Sequence, residues 1–324
     1  MNTIDNKINT TINNNNNNNT TTNKVNKYNK ISKWLNDPQP HSVKQAKWGQ
    51  RYQTFRKALK IPSFNIGLLL LIILLVVAIF APLLAPFDPN LQEASHRLQA
   101  PNSNYWLGTD QLGRDVLSRL IFGIRPTFLI ILEVTLLATP VGIGIGILAG
   151  FYGGIFESIC MRLTDIFMAL PRLVLALALG AVLGGGLMNA VIAIAITAWP
   201  AYARIARAET KAIKNSDYVQ AAITQGLSTF TILRTHILPM CMPSIVVRMS
   251  FDMAGIILMA AGLGFLGLGA QPPLAEWGAM IASGRDYIFD QWWLCAIPGI
   301  AICLASLAFN LLGDGLRDVL DPKY

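Results

Sequence analysis

Long apolar segments separated by short polar ones dominate the sequence after residue 65. Six of these segments are apolar over about 20 residues, which is the length that an α-helix needs to cross a bilayer. Their apolar residues are contiguous and do not alternate with polar ones, unlike the strands of a membrane β-barrel. The pattern therefore predicts an all-α polytopic membrane protein with six transmembrane helices. The predicted spans are 66–84, 127–151, 156–183, 187–203, 240–266 and 293–312.

Proline, glycine and polar residues mark the segments between the predicted spans. Pro82 and Pro86 are expected to end the first span, and Pro200 to interrupt the fourth, because proline lacks an amide hydrogen. Ahead of the second span, four apolar residues share one helical face, which predicts a separate short helix at the membrane interface. Segment 267–292 is too polar and too rich in glycine and proline to span. The four apolar residues are Val116, Leu117, Leu120 and Ile121.

The first 60 residues differ in composition from the rest of the chain. Residues 13–19 are an unbroken asparagine run, which cannot bury apolar surface and is predicted to be disordered. Basic residues follow it up to the first span. We therefore divide the chain into a disordered asparagine-rich tail with a basic juxtamembrane segment (1–60), a first transmembrane helix with an extracytoplasmic loop (61–126), and a transmembrane core (127–324). The core includes a polar loop at about 204–239.

The charge distribution predicts the orientation in the membrane. The 324-residue chain is 53% hydrophobic and only 14% charged, whereas soluble domains average about 25% charged residues. The net charge of +8 is concentrated in the tail before residue 66 and in the polar loop at 204–239. Since lysine and arginine accumulate in cytoplasmic segments, both termini and this loop are predicted to be cytoplasmic. The same distribution argues against nucleic-acid binding.

Several charged residues fall inside the predicted spans, where an unpaired charge is costly. Arg162 and Asp165 are three positions apart, and Arg248 and Asp252 are four apart. Each couple is therefore predicted to form a structural pair along one helix. The alternative is that Arg172 or Asp252 lines a transport path and contacts the substrate. The intramembrane charges identified as candidate functional residues are Glu133, Arg162, Asp165, Arg172, Arg248 and Asp252.

Glycines recur every four residues in the second predicted span, at Gly142, Gly146 and Gly150. Small residues at this spacing let a neighbouring helix approach closely, so they predict a helix-packing surface.

Catalytic motifs are missing from the sequence. There is no G-x-x-x-x-G-K-[ST] pattern to cradle phosphates, so the chain itself is not expected to hydrolyse ATP. The four cysteines show no C-x-x-C spacing and the three histidines are scattered, so no metal site is predicted. The sequence assigns no substrate-binding residue.

Residues 217–239, called the elbow below, form a polar to amphipathic stretch between two apolar segments. Ser216 or Asp217 is expected to cap a short helix through its side-chain oxygen, and Ser228 to cap a second one that extends through residue 237. Gly226 between them permits a left-handed turn. Such an elbow at a membrane surface is typical of a docking site for a soluble partner. The residues expected to share one face of the first helix are Tyr218, Val219 and Ala222.

The elbow resembles the EAA loop of the membrane subunits of ATP-binding-cassette importers. The family pattern is E-A-A, three residues, Gly, nine residues and then I-x-L-P; here Gln220 and His236 replace the glutamate and the isoleucine. In that family the loop docks into a groove on the ATPase subunit, and the resemblance implies the same role here. The residues it assigns to docking are Asp217, Tyr218, Gln220, Ala221, Ala222, Gly226, Leu238 and Pro239.

Further segments extend the resemblance from about residue 66 to the end of the chain. LGTDQLGRDVLSRL, MRLTDIFMALPRLVLA, GFLGLGAQPPLAEWGAMI and FNLLGDGLRDVLDPK are similar to the second permease subunit of the peptide/nickel importer family. GRDYIFDQWWLCAIPG looks most like permeases for dipeptides. The resemblance implies the type I importer permease fold and import of small peptides, with nickel, glutathione or opines as alternatives.

The family resemblance also implies the partners and the location. It implies a heterodimer with a homologous second permease, two ATPase subunits that bind ATP and Mg, and an extracytoplasmic substrate-binding protein, in the cytoplasmic membrane of a bacterium. The chain itself then needs no cofactor. Transport is expected to proceed by alternating access, driven by movement of the elbow with the ATPases.

Two other classes of function remain open at this point. An ion-coupled secondary transporter would use Glu133 or Asp165 as its ion site, and gradient-driven uptake by the purified chain would favour it. A membrane enzyme ranks last, because the sequence offers no constellation of nucleophile or metal ligands.

Overall fold

The computed structural model describes Trp34 and residues 42–320, so the asparagine run lies outside the described residues. The chain divides into two compact units, residues 1–61 and 62–324. In the first unit, helix α1 spans Val43–Ala58, and the Ser42 hydroxyl caps it by accepting a hydrogen bond from the Gln45 amide at 3.1 Å. This helix forms part of the basic juxtamembrane segment, to which the sequence analysis assigned no secondary structure.

All named secondary-structure elements of the described second unit are helical. Helices α2, α4, α7, α9 and α11 are long and apolar enough to cross a membrane, and the bent pair α5–α6 supplies a sixth candidate span. Short 3-10 turns at Ala94–His96 and Arg285–Tyr287 lie in the connections. The helices are α2 (Pro62–Ile79), α3 (Ala81–Leu84), α4 (Val116–Tyr152), α5 (Gly154–Met168), α6 (Arg172–Leu183), α7 (Leu187–Lys214), α8 (Asp217–Thr224), α9 (Thr229–Phe265), α10 (Trp277–Gly284) and α11 (Trp293–Leu320).

Several predicted spans are longer in the structure. Helix α4 begins at Val116 and continues through Pro126, so the predicted interfacial helix is the first part of the span, and the predicted domain boundary at 126 falls inside this helix. Helix α7 continues through Pro200 to Lys214, and α11 continues to Leu320. Proline removes one backbone hydrogen bond, and tertiary packing here tolerates that loss.

The third predicted span is broken. Helices α5 and α6 are bent by 87° relative to each other. Pro171 precedes Arg172, the first residue of α6, and has an extended ψ of 123°. Proline cannot donate the hydrogen bond that would continue α5, and it disfavours a helical conformation at the residue before it. The bend places Arg172 at the start of α6 and not in the middle of a continuous span.

The glycine stripe lies against α7. A Cβ atom built on Gly142 would lie 2.5 Å from the Trp199 carbonyl oxygen, and one on Gly150 would lie 2.8 Å from the Arg207 carbonyl oxygen. A Cβ on Gly146 would collide with the carbonyl of Ala203. The backbones of α4 and α7 therefore approach so closely that only glycine fits at these positions.

Candidate functional site

The elbow is built from two helices and a glycine turn. Helix α8 ends in a Schellman motif: the Gly226 amide donates to the Ile223 carbonyl at 2.9 Å, and the Leu227 amide donates to the Ala222 carbonyl at 3.3 Å. Gly226 has a φ of +76°, which satisfies the predicted left-handed turn. Ser228 then caps α9, as predicted, by accepting from the Thr231 amide at 3.3 Å.

The start of α8 differs from the prediction. Ser216 occupies the N-cap position, but neither its side chain nor any other caps the helix with a hydrogen bond. The Ser216 hydroxyl instead donates to the Ile213 carbonyl at 2.7 Å, which ties the connection to the end of α7. Gln220 adds a second tie, since its side-chain amide donates to the Lys214 carbonyl at 3.0 Å.

The elbow has an inner and an outer face. Val219 and Ala222 are buried against the rest of the chain, so Ala222 supports the elbow from inside. Tyr218, which was predicted on the same face, is exposed, and its ring packs edge-on against His236 with the ring centroids 4.9 Å apart. Phe230 is 70% exposed. An aromatic side chain this exposed is accessible for contact with a partner. The exposed large apolar residues of the elbow are Tyr218, Ile223 and Phe230.

The elbow is continuous with a membrane span. A π-helical turn, Leu233–Ile237, joins the second helix of the elbow to the rest of α9, and Leu238 and Pro239 lie within the same continuous helix. Ile232 and Ile237 are buried. The predicted separation of the elbow from the fifth span is therefore wrong, because one continuous helix contains both the second part of the elbow and the span.

Ion pairs join α5 to α7 near the elbow. Glu157 pairs with Arg207 and, at 2.7 Å, with Lys211. Asp165 pairs with Arg204 at 2.5 Å, whereas no ion pair joins it to Arg162 within the described residues. The predicted Arg162–Asp165 pair is therefore wrong, because the side chain of Asp165 finds a partner on the adjacent helix. The row of basic residues on α7 at spacings of three and four was the sequence signal for these contacts.

A second group of charges lies where α6, α7 and α9 meet. Arg248 and Asp252 form the predicted pair along α9, with Arg248 Nη2 3.0 Å from Asp252 Oδ1. Arg172, at the start of α6, also binds Asp252 Oδ1, through Nη1 at 3.1 Å. The Asp252 side chain is only 5% exposed, whereas Arg172 is 28% and Arg248 is 38% exposed. We call these three residues the mid-span cluster.

Several polar atoms near the mid-span cluster lack partners. Among the described residues, Arg172 Nε and Nη2 are buried without a hydrogen bond, as are the hydroxyl groups of Tyr202 and Thr139. Tyr202 lies beside both Thr139 and Asp252. Glu133 Oε2 is likewise buried and unpaired. Unsatisfied polar groups inside a protein are costly, so each of them calls for an explanation. Tyr202 and Thr139 carried no signal in the sequence.

The loop between α9 and α11 packs on the membrane core. Glu276 caps α10 by accepting hydrogen bonds from the amides of Gly278 and Ala279, both at 2.9 Å. Burial raises the pKa of the Glu276 carboxyl, and the two amide donors oppose that shift. Trp277 is buried and donates from Nε1 to the Leu120 carbonyl of α4 at 3.0 Å. This fixes the loop, which does not span the membrane, to the start of α4.

No metal centre is formed by the described residues. They contain no group of three or more His, Cys, Asp or Glu side chains that fits a metal ion. The four cysteines are free thiols, and Cys241 is buried.

The sequence and the fold were compared with known proteins. Residues 142–324 match the family model described as binding-protein-dependent transport system inner membrane component, and residues 50–101 match the N-terminal TM domain of oligopeptide transport permease C.

Two curated relatives are similar over most of their length. The probable D,D-dipeptide transport system permease protein DdpC of Escherichia coli (strain K12) is 47% identical over 78% of this chain and 85% of the relative. The di/tripeptide transport system permease protein DppC of Pseudomonas aeruginosa (strain UCBPP-PA14) is 48% identical over 79% of this chain and 87% of the relative.

A solved structure shares the fold. It is an inward-facing conformation of the MetNI methionine ABC transporter, with a TM-score of 0.52 and 18% identity, and the match covers 63% of this chain and 97% of that one.

Proposed function

The chain belongs to the family of binding-protein-dependent transport system inner membrane components, and from that premise we propose that it is the second of two different permeases in a dipeptide importer. It is a permease subunit of an ATP-binding-cassette peptide importer, and it is a multi-pass protein of the inner membrane. It has the type I importer permease fold. Its proposed substrates are dipeptides, because both relatives named above are permeases for peptides of two or three residues.

The elbow is the proposed docking site for an ATPase subunit. The observation that carries this proposal is its two-sided construction, with a closed inner face and an exposed outer face that presents Tyr218, Ile223 and Phe230. Apolar side chains of this size exposed on a rigid element fit a complementary groove on a protein partner. Because α9 is continuous from the elbow into the membrane, closure of an ATPase dimer would move the span as one body.

The proposed complex contains this chain, a homologous second permease, two ATPase subunits and an extracytoplasmic binding protein. ATP and Mg would be bound by the ATPase subunits, which supply the phosphoryl-transfer chemistry. This chain would contribute the elbow and part of the path through the membrane. The bent pair α5–α6 and the continuous α9 then move between inward-open and outward-open arrangements.

Reconstitution tests this assignment. We expect peptide uptake into vesicles only when both permeases, the ATPases, the binding protein and ATP are present. Uptake by this chain alone under a proton or sodium gradient would instead favour an ion-coupled transporter, with the unpaired Glu133 carboxylate as its ion site.

Orientation is tested by labelling. In a variant whose four cysteines are replaced, Phe289→Cys and Ser228→Cys place single thiols at two exposed positions, one in the loop after α9 and one in the elbow. An impermeant thiol reagent applied to intact cells should label residue 289 and leave residue 228 unlabelled. The reverse pattern would overturn the proposed cytoplasmic position of the elbow.

A further inference from the structure

The mid-span cluster carries more positive charge than this chain neutralises. Asp252 binds both Arg172 and Arg248, so one carboxylate faces two guanidinium groups. Within the described residues, neither arginine forms an ion pair with a second carboxylate. Asp252 lies near the middle of α9, roughly 20 Å from Leu238 and from Phe265 at a rise of 1.5 Å per residue. Excess charge at this depth is costly, so the cluster is suited to receiving an anion.

The free donors of Arg172 have the geometry for a carboxylate. Nη1 is occupied by Asp252 at 3.1 Å, while Nε and Nη2 are buried without an acceptor. Nε and Nη2 lie along one edge of the planar guanidinium and form a fork that binds two carboxylate oxygens at once. Arg248 offers no such edge, because its Nε and Nη2 both donate to Asp252.

Two more features of the same place favour a negative ligand. Arg172 is the first residue of α6, a 12-residue helix whose N-terminus has no side-chain cap. The first amides of a helix are free donors at the positive end of its dipole. The Tyr202 hydroxyl, in a side chain that is almost fully buried, lies beside Asp252. Its one hydrogen can be donated either to Asp252 or to an anion held between α6 and α9.

We propose that Arg172 binds the C-terminal carboxylate of the transported peptide at the middle of the membrane. The inference rests on the proposed function, since the cargo must be a peptide. A terminal carboxylate is common to all peptides, so recognition of the carboxylate by Arg172 would not depend on the side chains of the peptide. The fork is enclosed in this conformation, and the peptide reaches it when α6 and α9 separate during alternating access.

The test compares dialanine with dialanine amide, which lacks the terminal charge. Each peptide is loaded to saturation on the purified binding protein, and ATP-driven uptake by the complete importer is measured against the concentration of loaded binding protein. The acid-to-amide ratio of kcat/KM is then compared between wild type and Arg172→Gln. Because the binding protein is the same in both assays, a change in this ratio reports on the permease alone.

We expect Arg172→Gln to lower the acid-to-amide ratio about tenfold, which corresponds to about 1.4 kcal/mol. Arg248→Gln is the matched control and should leave the ratio unchanged, because its fork is already occupied by Asp252. If Arg172→Gln does not assemble, Arg172→Lys keeps the charge without the fork and should lower the ratio about threefold.

Three results would overturn the inference. Equal losses for both peptides in Arg172→Gln, or an unchanged ratio in Arg172→Lys, would mean that Arg172 does not contact the carboxylate. Release of the second permease from the Arg172→Lys complex would show that the missing anion belongs to that subunit. Failure of the wild-type complex to import either peptide would instead reject the proposed function itself, and the inference with it.

Discussion

The elbow and the mid-span cluster represent two ways in which this sequence positions functional groups. The turn of the elbow is closed by hydrogen bonds between residues three and five positions apart, from Gly226 to Ile223 and from Leu227 to Ala222. The cluster joins Arg172 to Asp252, which are 80 positions apart. The elbow is determined by local stereochemistry, and the cluster exists only once α6 and α9 have packed.

The elbow and the mid-span cluster also differ in how strongly a substitution is expected to change the stability of the protein. The elbow exposes its outer face, so a substitution there leaves most of the fold unaffected. The cluster buries charge, and the loss of one partner leaves the others without compensation. We therefore expect the largest effects on stability in the cluster and the smallest at the glycine of the elbow.

Asp252→Asn is expected to have the largest effect. It leaves two guanidinium groups without a carboxylate, and breaking a buried ion pair in this way costs about 3–5 kcal/mol. Asp165→Asn is the matched control, because its pair with Arg204 is exposed on both sides and worth about 1 kcal/mol or less. Thermal stability of the detergent-purified protein, followed by size-exclusion chromatography, should fall strongly for Asp252→Asn only.

The same measurement separates the two pairs that the sequence predicts. Arg162 makes no ion pair with Asp165 in the described structure, so Arg162→Gln should leave the stability unchanged. A loss of stability in Arg162→Gln as large as that in Asp252→Asn would show that the pairing along the helix, predicted from spacing alone, is the correct one.

The neighbouring alanines of the elbow give the next largest effect. Ala222 is buried, so Ala222→Glu forces a carboxylate into the packed inner face and should destabilise the protein by about 3 kcal/mol. Ala221 is exposed, so Ala221→Glu should fold normally. If the outer face docks on an ATPase, Ala221→Glu should nevertheless lose co-purification of the ATPase subunits.

The outcome for Ala221 decides the role of the elbow. Wild-type co-purification and wild-type uptake in Ala221→Glu would mean that the outer face is not a docking surface. Reduced folding in Ala221→Glu, with normal folding in Ala222→Glu, would reverse the assignment of the two faces.

Features that depend on contacts between residues close in sequence could be predicted, whereas features that depend on long-range contacts could not. The turn at Gly226 and the cap at Ser228 were predicted, because both depend on residues within one or two turns. The bend at Pro171 and the continuity of helix through Pro126 and Pro200 were not distinguished in advance. Whether a proline breaks a helix depends on what packs around it, and that information lies elsewhere in the chain.

Ion-pair partners on neighbouring helices were the other feature that the sequence analysis did not assign. Asp165 pairs with Arg204 and not with its neighbour Arg162, and Arg172 shares Asp252 with Arg248. Spacing along one helix identifies which side chains share a face, but the choice between partners depends on the adjacent helix.

The glycine stripe allows a test of a long-range contact, the packing of α4 on α7, that involves no charged group. Gly146→Ala would place a methyl group against the Ala203 carbonyl, and overpacking of this kind costs about 1–3 kcal/mol. Gly144→Ala is the matched control on the same helix, since a Cβ there has no atom within 4 Å. Because alanine favours helix over glycine, Gly144→Ala should be neutral or slightly stabilising. Equal thermal stability of the two variants would refute close packing of α4 on α7.

Gly226 is expected to show the smallest effect on stability, and it isolates the local contribution to the elbow. A Cβ at this position has no atom within 4 Å, so Gly226→Ala creates no collision, and its whole cost is the left-handed backbone at a φ of +76°. That cost is about 1 kcal/mol for alanine and less for asparagine, which tolerates this conformation. Gly226→Ala should therefore lower thermal stability slightly and Gly226→Asn should lower it less.

Because the turn sets the angle between α8 and α9, the strain in Gly226→Ala should also weaken the coupling of ATP hydrolysis to uptake, while Gly226→Asn should weaken it less. If alanine and asparagine give the same uptake per ATP hydrolysed, the conformation of this turn does not control the docking geometry.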